Sequence, residues 1–275
     1  MPVVSEDGAQ WQLLWRSPSM PVHTVLYWMP AMGVAAKHYL PLAEALAARG
    51  VAVAIHEWRG IGSSDRRASR HANWTYKTLL ERDLPAGLAV VRAEWPQARR
   101  ILGGHSLGGQ LASVFGGLCP KSFDGLILVA SGAPYWRRFA HGWLVGLAYV
   151  AAPWLARGVG YLPGRRIGFG GNEARGVIDD WARSGRTGRY AARGMREDLE
   201  AGMAVLNWPI LALRLHDDWL APQASLDWLL GKMPKAPNRT EVLTSAELGG
   251  LRADHFSWMK TPDAVAAHIA DWVTS

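Results

Sequence analysis

Residues 101–110 read ILGGHSLGGQ, and Ser106 stands inside Gly104-His105-Ser106-Leu107-Gly108, a G-x-S-x-G pattern. A serine so placed can attack an acyl carbonyl if it is held on a sharp turn between a strand and a helix. The glycines two before and two after are then needed, because a Cβ would clash in that turn. The flanking segments Arg-Arg-Ile-Leu and Leu-Gly-Gly-Gln-Leu-Ala-Ser-Val-Phe supply a strand and a helix. Ser106 would sit at the helix N-terminus, where negative charge is favoured. The competing reading is a Gly-rich turn with no chemistry, and the strand-to-helix context weighs against it.

A nucleophilic serine needs a base, and the base needs an orienting acid. In this architecture the chain order is Ser, acid, His. Nine histidines compete. His255, in Arg-Ala-Asp-His-Phe-Ser-Trp, follows the last strand and precedes the last helix, so its loop can reach over the sheet. His268 lies within the final helix and reads as a packing or surface residue, while His216 follows a strand and could line the site. For the acid, Arg-Leu-His-Asp-Asp-Trp-Leu-Ala-Pro offers Asp217 and Asp218. Adjacent carboxylates cannot both face the histidine. Asp218 is preferred, because Asp-x-x-x-Pro sets it between the strand and the next helix; Asp217 stays open. The oxyanion requires backbone N–H donors. The amide of Leu107 is one, and the small-residue loop Pro30-Ala31-Met32-Gly33 provides the amide of Met32 as the other.

These residues need a scaffold. Apolar runs His23–Pro30, Val51–Trp58, Arg99–His105 and Phe123–Ser131 alternate with helical stretches, which predicts a mostly parallel sheet with helices on both faces. Two short N-terminal strands and the runs Pro209–His216 and Thr240–Leu248 bring the expected count to eight. Pro85 should kink or offset the helix that spans residues 76–96. Between the sixth and seventh strands, residues 134–206 show helical pieces and Gly-rich breaks but no clear strand. Residues 1–133 and 207–275 therefore read as the core and 134–206 as an inserted helical cap.

The composition is that of a globular chain, 49% hydrophobic and 19% charged over 275 residues. That length can bury one large core. Cys119 is the only cysteine, which excludes an intrachain disulfide and a cysteine-based metal site. The first residues show neither a basic segment nor an apolar core of a signal peptide, so a cytoplasmic location is expected. The apolar run Phe139–Ala156 contains His141 and Pro153 and is short for a membrane span, so it reads as a buried or lipid-facing amphipathic element. Formal charge is +7; residues 134–206 carry 11 Arg against 6 Asp or Glu, so +5 of the excess is local. No nucleic-acid module accompanies it, and the 15 Trp are scattered. No Walker loop, dinucleotide fingerprint or H-E-x-x-H zinc motif is present, so no cofactor or metal is expected.

At this point the chain resembles the α/β-hydrolase superfamily, in its serine hydrolase branch of monoglyceride lipases, lysophospholipases and serine aminopeptidases. Gly-His-Ser-Leu-Gly-Gly is similar to that group's nucleophile turn, Asp-Trp-Leu-Ala-Pro to its acid loop, Ala-Asp-His-Phe to its histidine loop, and Trp-Arg-Gly-Ile-Gly-Ser-Ser-Asp to the segment after its fourth strand. The resemblance implies an α/β-hydrolase fold and a Ser106, Asp218, His255 triad. The pattern is similar to a bacterial group of hydrolases of unassigned substrate. Two departures stand out. Pro-Ala-Met-Gly occupies the place of the usual His-Gly, and the inserted segment is richer in Arg and Trp than a minimal cap.

The reading from sequence is a serine hydrolase that cleaves an acyl ester through an acyl-enzyme, with residues 139–149 lining an acyl pocket. An acyltransferase or thioesterase acting on a carrier-bound acyl group is the alternative, motivated by the local charge. A non-catalytic binding protein of the same fold is a further one. The expected partner is a small acyl-containing substrate, not a nucleic acid, with transient lipid contact through the cap and no stable membrane insertion.

Overall fold

Short apolar segments that alternate with amphipathic ones become strands and covering helices. In the computed structural model, which describes residues 1–274, the strands are β1 (Pro2–Val4), β2 (Gln10–Gln12), β3 (Leu14–Arg16), β4 (Thr24–Met29), β5 (Ala52–Ile55), β6 (Arg99–His105), β7 (Gly125–Val129), β8 (Tyr161–Pro163), β9 (Asn172–Ala174), β10 (Ile210–Leu215) and β11 (Asn238–Leu243). The helices are α1 (Leu40–Ala47), α2 (Tyr76–Thr78), α3 (Leu84–Glu94), α4 (Leu107–Leu118), α5 (Gly142–Val159), α6 (Gly164–Ile167), α7 (Arg175–Thr187), α8 (Leu199–Ala204), α9 (Gln223–Leu230) and α10 (Asp263–Thr274). The main sheet has the order β11-β10-β7-β6-β4-β5-β3. All its pairs are parallel except β3 with β5, at one edge.

Alternate residues of the central strands feed two separate cores. Val25, Tyr27 and Met29 of β4 join Leu102, Leu126 and Leu128 on the face packed by α3 and α4. Leu26 and Trp28 join Ile101, Ile127 and Val129 on the face covered by α1 and α10. With helices on both sides the central strands are almost wholly buried, which explains their continuous apolar runs.

The sheet has seven strands where the sequence suggested eight. The N-terminal run breaks at Leu13: its first half pairs with β1 as a separate antiparallel ribbon, and its second half becomes the edge strand β3. Pro85 is accommodated rather than disruptive. Residues Leu79–Asp83 just before it form a π-helical turn, whose wider coil relieves the clash a proline makes with the carbonyl four residues earlier.

The segment inserted between β7 and β10 departs from the helical cap expected from its sequence. It contains the antiparallel ribbon β8–β9. Strands of three residues each leave too short a period to see against the surrounding Gly-rich sequence. Three hydrogen bonds tie α7 to the core: Tyr76 N–H donates to Asp180 Oδ2 at 3.1 Å, Gly176 N–H to Asn73 Oδ1 at 2.9 Å and Arg175 Nη2 to the Arg70 carbonyl at 3.4 Å. The backbone of Gly33 also lies against Gly170 and Gly171 so closely that no Cβ fits between them. No helix of the described residues is long and apolar enough to cross a membrane.

Glu173 of β9 is buried beside this contact and accepts from the Gly171 N–H at 3.1 Å. Burial pushes its carboxyl up to about 7 from 4.5. Above pH 4.5 the unfolded chain ionises at this position while the folded chain resists, so stability is lost as pH rises toward 7. Glu173→Gln should therefore unfold at higher temperature than wild type at pH 8, with the gap closing toward pH 5, as read by thermal denaturation across pH.

Candidate active site

β6 ends at His105 and α4 begins at Leu107, leaving Ser106 alone to make the turn. It does so at φ 55° and ψ −122°, a strained conformation that only one other non-glycine, Ala130, approaches in sign of φ among the described residues. The two flanking glycines have distinct reasons. A Cβ on Gly104 would come 2.4 Å from the Gly108 carbonyl carbon, and one on Gly108 would come 2.0 Å from the Met29 carbonyl oxygen. The turn is held by Ser106 N–H donating to the Val129 carbonyl at 3.1 Å and by Ser131 Oγ donating to the Ser106 carbonyl at 2.7 Å. Ser106 does not use its side chain to cap the helix that follows, so its hydroxyl is left for other work.

The acid and the histidine arrive on loops beyond β10 and β11. His255 Nδ1 donates to Asp218 Oδ2 at 2.8 Å, and both side chains are buried. A carboxylate only accepts, so this contact puts the imidazole proton on Nδ1 and leaves Nε2 as the free base. Asp218 Oδ1 is occupied as well, by the amides of Leu220 at 2.9 Å and Ala221 at 3.2 Å. This is how Asp-x-x-x-Pro positions the carboxylate before α9 begins. The histidine loop is fixed by Asp254, which accepts from the Phe256 and Ser257 amides, and by Trp258 Nε1, which donates to the His255 carbonyl at 3.1 Å. Asp217 N–H donates to the Ala253 carbonyl at 2.8 Å, tying the two loops together. Its carboxylate turns outward to His216, at 2.8 Å. Asp217 and His216 therefore form their own exposed pair and neither lines the site. His268 pairs with Glu241 on the surface of α10.

Ser106 and His255 face one cavity of about 580 Å3, together with Met32 and Leu107. No hydrogen bond joins the serine hydroxyl to the imidazole. In active sites without substrate such contacts are often long and tighten when substrate binds. The rest of the wall is apolar and comes largely from the inserted segment, including Phe139, Val145, Tyr149, Leu155, Phe169 and Trp181. Part of the expected lining, residues 139–149, is thus present, and the wall extends further along α5 than anticipated.

The residue that sequence reasoning passed over is Tyr39. It is fully buried, accepts from the Ala31 N–H at 2.9 Å and lies 2.8 Å from His105 Nδ1. The phenol's own hydrogen has His105 Nδ1 as its acceptor when the neutral ring carries its proton on Nε2. Burial, and secondarily the neighbouring His255, holds the His105 imidazole well below the ordinary histidine range, so it stays neutral. The Ala31 amide is thereby committed to the scaffold, while the Met32 and Leu107 amides make no hydrogen bond to the protein among the described residues. A signal was available in Tyr39, an aromatic with a polar tip shortly after the Pro-Ala-Met-Gly loop, but its reach back to Ala31 is a tertiary fact. Among the described residues no three His, Cys, Asp or Glu side chains converge as a metal site would require.

The sequence profile of the serine aminopeptidase S33 family matches residues 21–246. The chain belongs to that family. No curated protein matches the chain by sequence. Among solved structures, this S33 member is similar to an esterase from Exiguobacterium antarcticum, at 15% identity and a TM-score of 0.66 over 100% of this chain and 99% of that one. It is similar to the enol-lactonase from Burkholderia xenovorans, at 14% identity and a TM-score of 0.62 over 100% of both chains. It is also similar to the thioesterase domain from the curacin biosynthetic pathway, at 19% identity and a TM-score of 0.61 over 100% and 99%. At these identities the likeness establishes the α/β-hydrolase fold. With the family, it makes this S33 member a hydrolase.

The Gly108–Met29 contact yields a direct test. Gly108→Ala should cost on the order of 3 kcal/mol through overpacking against backbone that cannot yield, seen as a drop of several degrees in the thermal unfolding midpoint.

Proposed function

We propose that this protein is a serine hydrolase that cleaves an acyl ester through an acyl-enzyme, with residues 134–206 serving as a cap over the site. The observation that carries the proposal is the buried 2.8 Å His255–Asp218 contact on the same cavity as a serine held at positive φ. Ser106 Oγ attacks the acyl carbonyl carbon and its proton passes to His255 Nε2. Asp218 holds the imidazole in the required tautomer and offsets the charge that forms on it. The carbonyl oxygen becomes an oxyanion, held by the Leu107 and Met32 amides. The tetrahedral intermediate collapses, the bond to the leaving alcohol breaks, and His255 gives that alcohol its proton. Water then attacks the acyl-Ser106 with His255 again as base, releasing the acid and restoring the serine.

The apolar wall favours an acyl chain or aromatic acid over a peptide, since it offers few polar partners for an amide backbone. Gln110, one helical turn beyond Ser106, supplies a side-chain amide to that wall, and its Oε1 is buried without a partner in the protein. The same machinery would serve a thioester or transfer to an alcohol. Product analysis with an activated ester in the presence of added alcohols separates hydrolysis from transfer.

Labelling with a fluorophosphonate probe tests the nucleophile. Wild type should label and Ser106→Ala should not, with kcat on p-nitrophenyl esters falling roughly 10⁴-fold or more. An unlabelled wild-type protein would count against the proposal. Tyr39→Phe should lower kcat about tenfold with KM nearly unchanged, because it disturbs the loop that presents the Met32 amide and leaves the acyl pocket intact.

A further inference from the structure

The inserted segment has a second cavity that the chemistry above does not use. It is an open cleft of about 260 Å3 between α5 and α7, lined by Arg157, Arg183, Arg186, Arg193, Asp179 and Trp154 among others, with Arg157, Arg186 and Arg193 reaching solvent. α5 presents one set of residues to each cavity. Val145, Tyr149 and Ala152 face the acyl pocket, while Val150, Trp154 and Arg157, offset around the helix, face the arginines. α7 divides likewise, Trp181 toward the acyl side and Asp179, Arg183 and Arg186 toward the other. The two cavities thus share a wall and are separate spaces.

The charge in this cavity is unbalanced. Four guanidinium groups meet one carboxylate, a formal excess of +3. Arg157 Nη2 donates to Asp179 Oδ1 at 2.7 Å, and that pair accounts for the only acid in the lining; the Asp180 carboxylate, outside the lining, also attracts Arg183. Arg186 Nη1 donates to the Tyr149 carbonyl. That carbonyl is free because its helical partner four residues on is Pro153, which has no N–H. Arg186 is therefore fixed in place by the helix it faces while its side chain lines the cavity. The side chains of Arg183 and Arg193 make no hydrogen bond to the protein among the described residues. Four guanidinium groups gathered around one lining carboxylate repel one another, and a multivalent anion relieves that repulsion. Each fork also matches a pair of phosphate oxygens. A monocarboxylate would leave most of the excess uncompensated.

We infer that this cavity binds the phosphate or diphosphate portion of a ligand, at a site distinct from the acyl pocket. The inference does not rest on the proposed acyl chemistry. The phosphate can belong to a soluble molecule or to a lipid headgroup, and the following test separates the two.

Inorganic pyrophosphate titrated calorimetrically into the full chain should bind saturably in wild type. The double variant Arg183→Gln/Arg193→Gln should bind roughly tenfold more weakly or not at all, with its unfolding midpoint unchanged. A second double variant, Arg165→Gln/Arg166→Gln, removes the same charge from an exposed stretch of the same segment and should bind like wild type. Absence of saturable binding in wild type, or equal loss in both double variants, overturns the site. Sedimentation with phosphatidylglycerol vesicles then identifies the source. Co-sedimentation that pyrophosphate displaces and Arg183→Gln/Arg193→Gln abolishes assigns a lipid headgroup. Pyrophosphate binding without co-sedimentation assigns a soluble phosphate.

Discussion

The close approach of three backbone segments around Ser106 governs the whole arrangement. The start of α4 lies against the end of β4, with Gly108 in van der Waals contact with the Met29 carbonyl, and the turn itself adopts a φ that side chains resist. Neither contact is stable alone. Neighbouring elements hold them: β7 takes the Ser106 amide, Ser131 takes its carbonyl, and two helical layers bury the strands on either side. The strain at one residue persists because the surrounding core over-determines it.

Around that fixed point the other groups are delivered by loops, and each loop is locked by its own short-range bonds. Asp218 is held by the amides just after it, His255 by the Asp254 turn and the Trp258 indole, and the Met32 loop by Tyr39. The two loops beyond β10 and β11 are further tied to one another through Asp217 and Ala253. The sheet thus sets where the loops start, and local hydrogen bonds set where they end. This division matches the general placement of sites at the carboxyl ends of parallel strands.

How much of this could be read from residues alone follows the same division. The strand–glycine–serine–helix pattern is local, so it was legible. So was the order of strands and helices; the structure also sets Asp218, and not its neighbour, against His255, a choice that depends on a few residues of spacing. Features that depend on partners distant in sequence were not. The run near Leu13 reads as one strand because nothing local says that its halves pair with different partners. The ribbon β8–β9 is too short to show a period. Tyr39 gains its meaning from Ala31 and from His105, which is 66 positions away. The arginines of the inserted segment show in the sequence only as a local charge excess, since the meeting of Arg157 on α5 with Arg183 and Arg186 on α7, and with Arg193 beyond it, emerges only when the helices are set side by side.

Pro153 divides α5 near its middle, and the carbonyl it strands on Tyr149 is bonded by Arg186 from α7. The width of the cavity beside Ser106 is consequently fixed, at Tyr149, by a joint between two helices and not by either helix alone. Variation at Arg186 is then a means of reshaping that cavity while Ser106, Asp218 and His255 stay untouched, so the form of the wall and the geometry at its floor can drift independently in this scaffold.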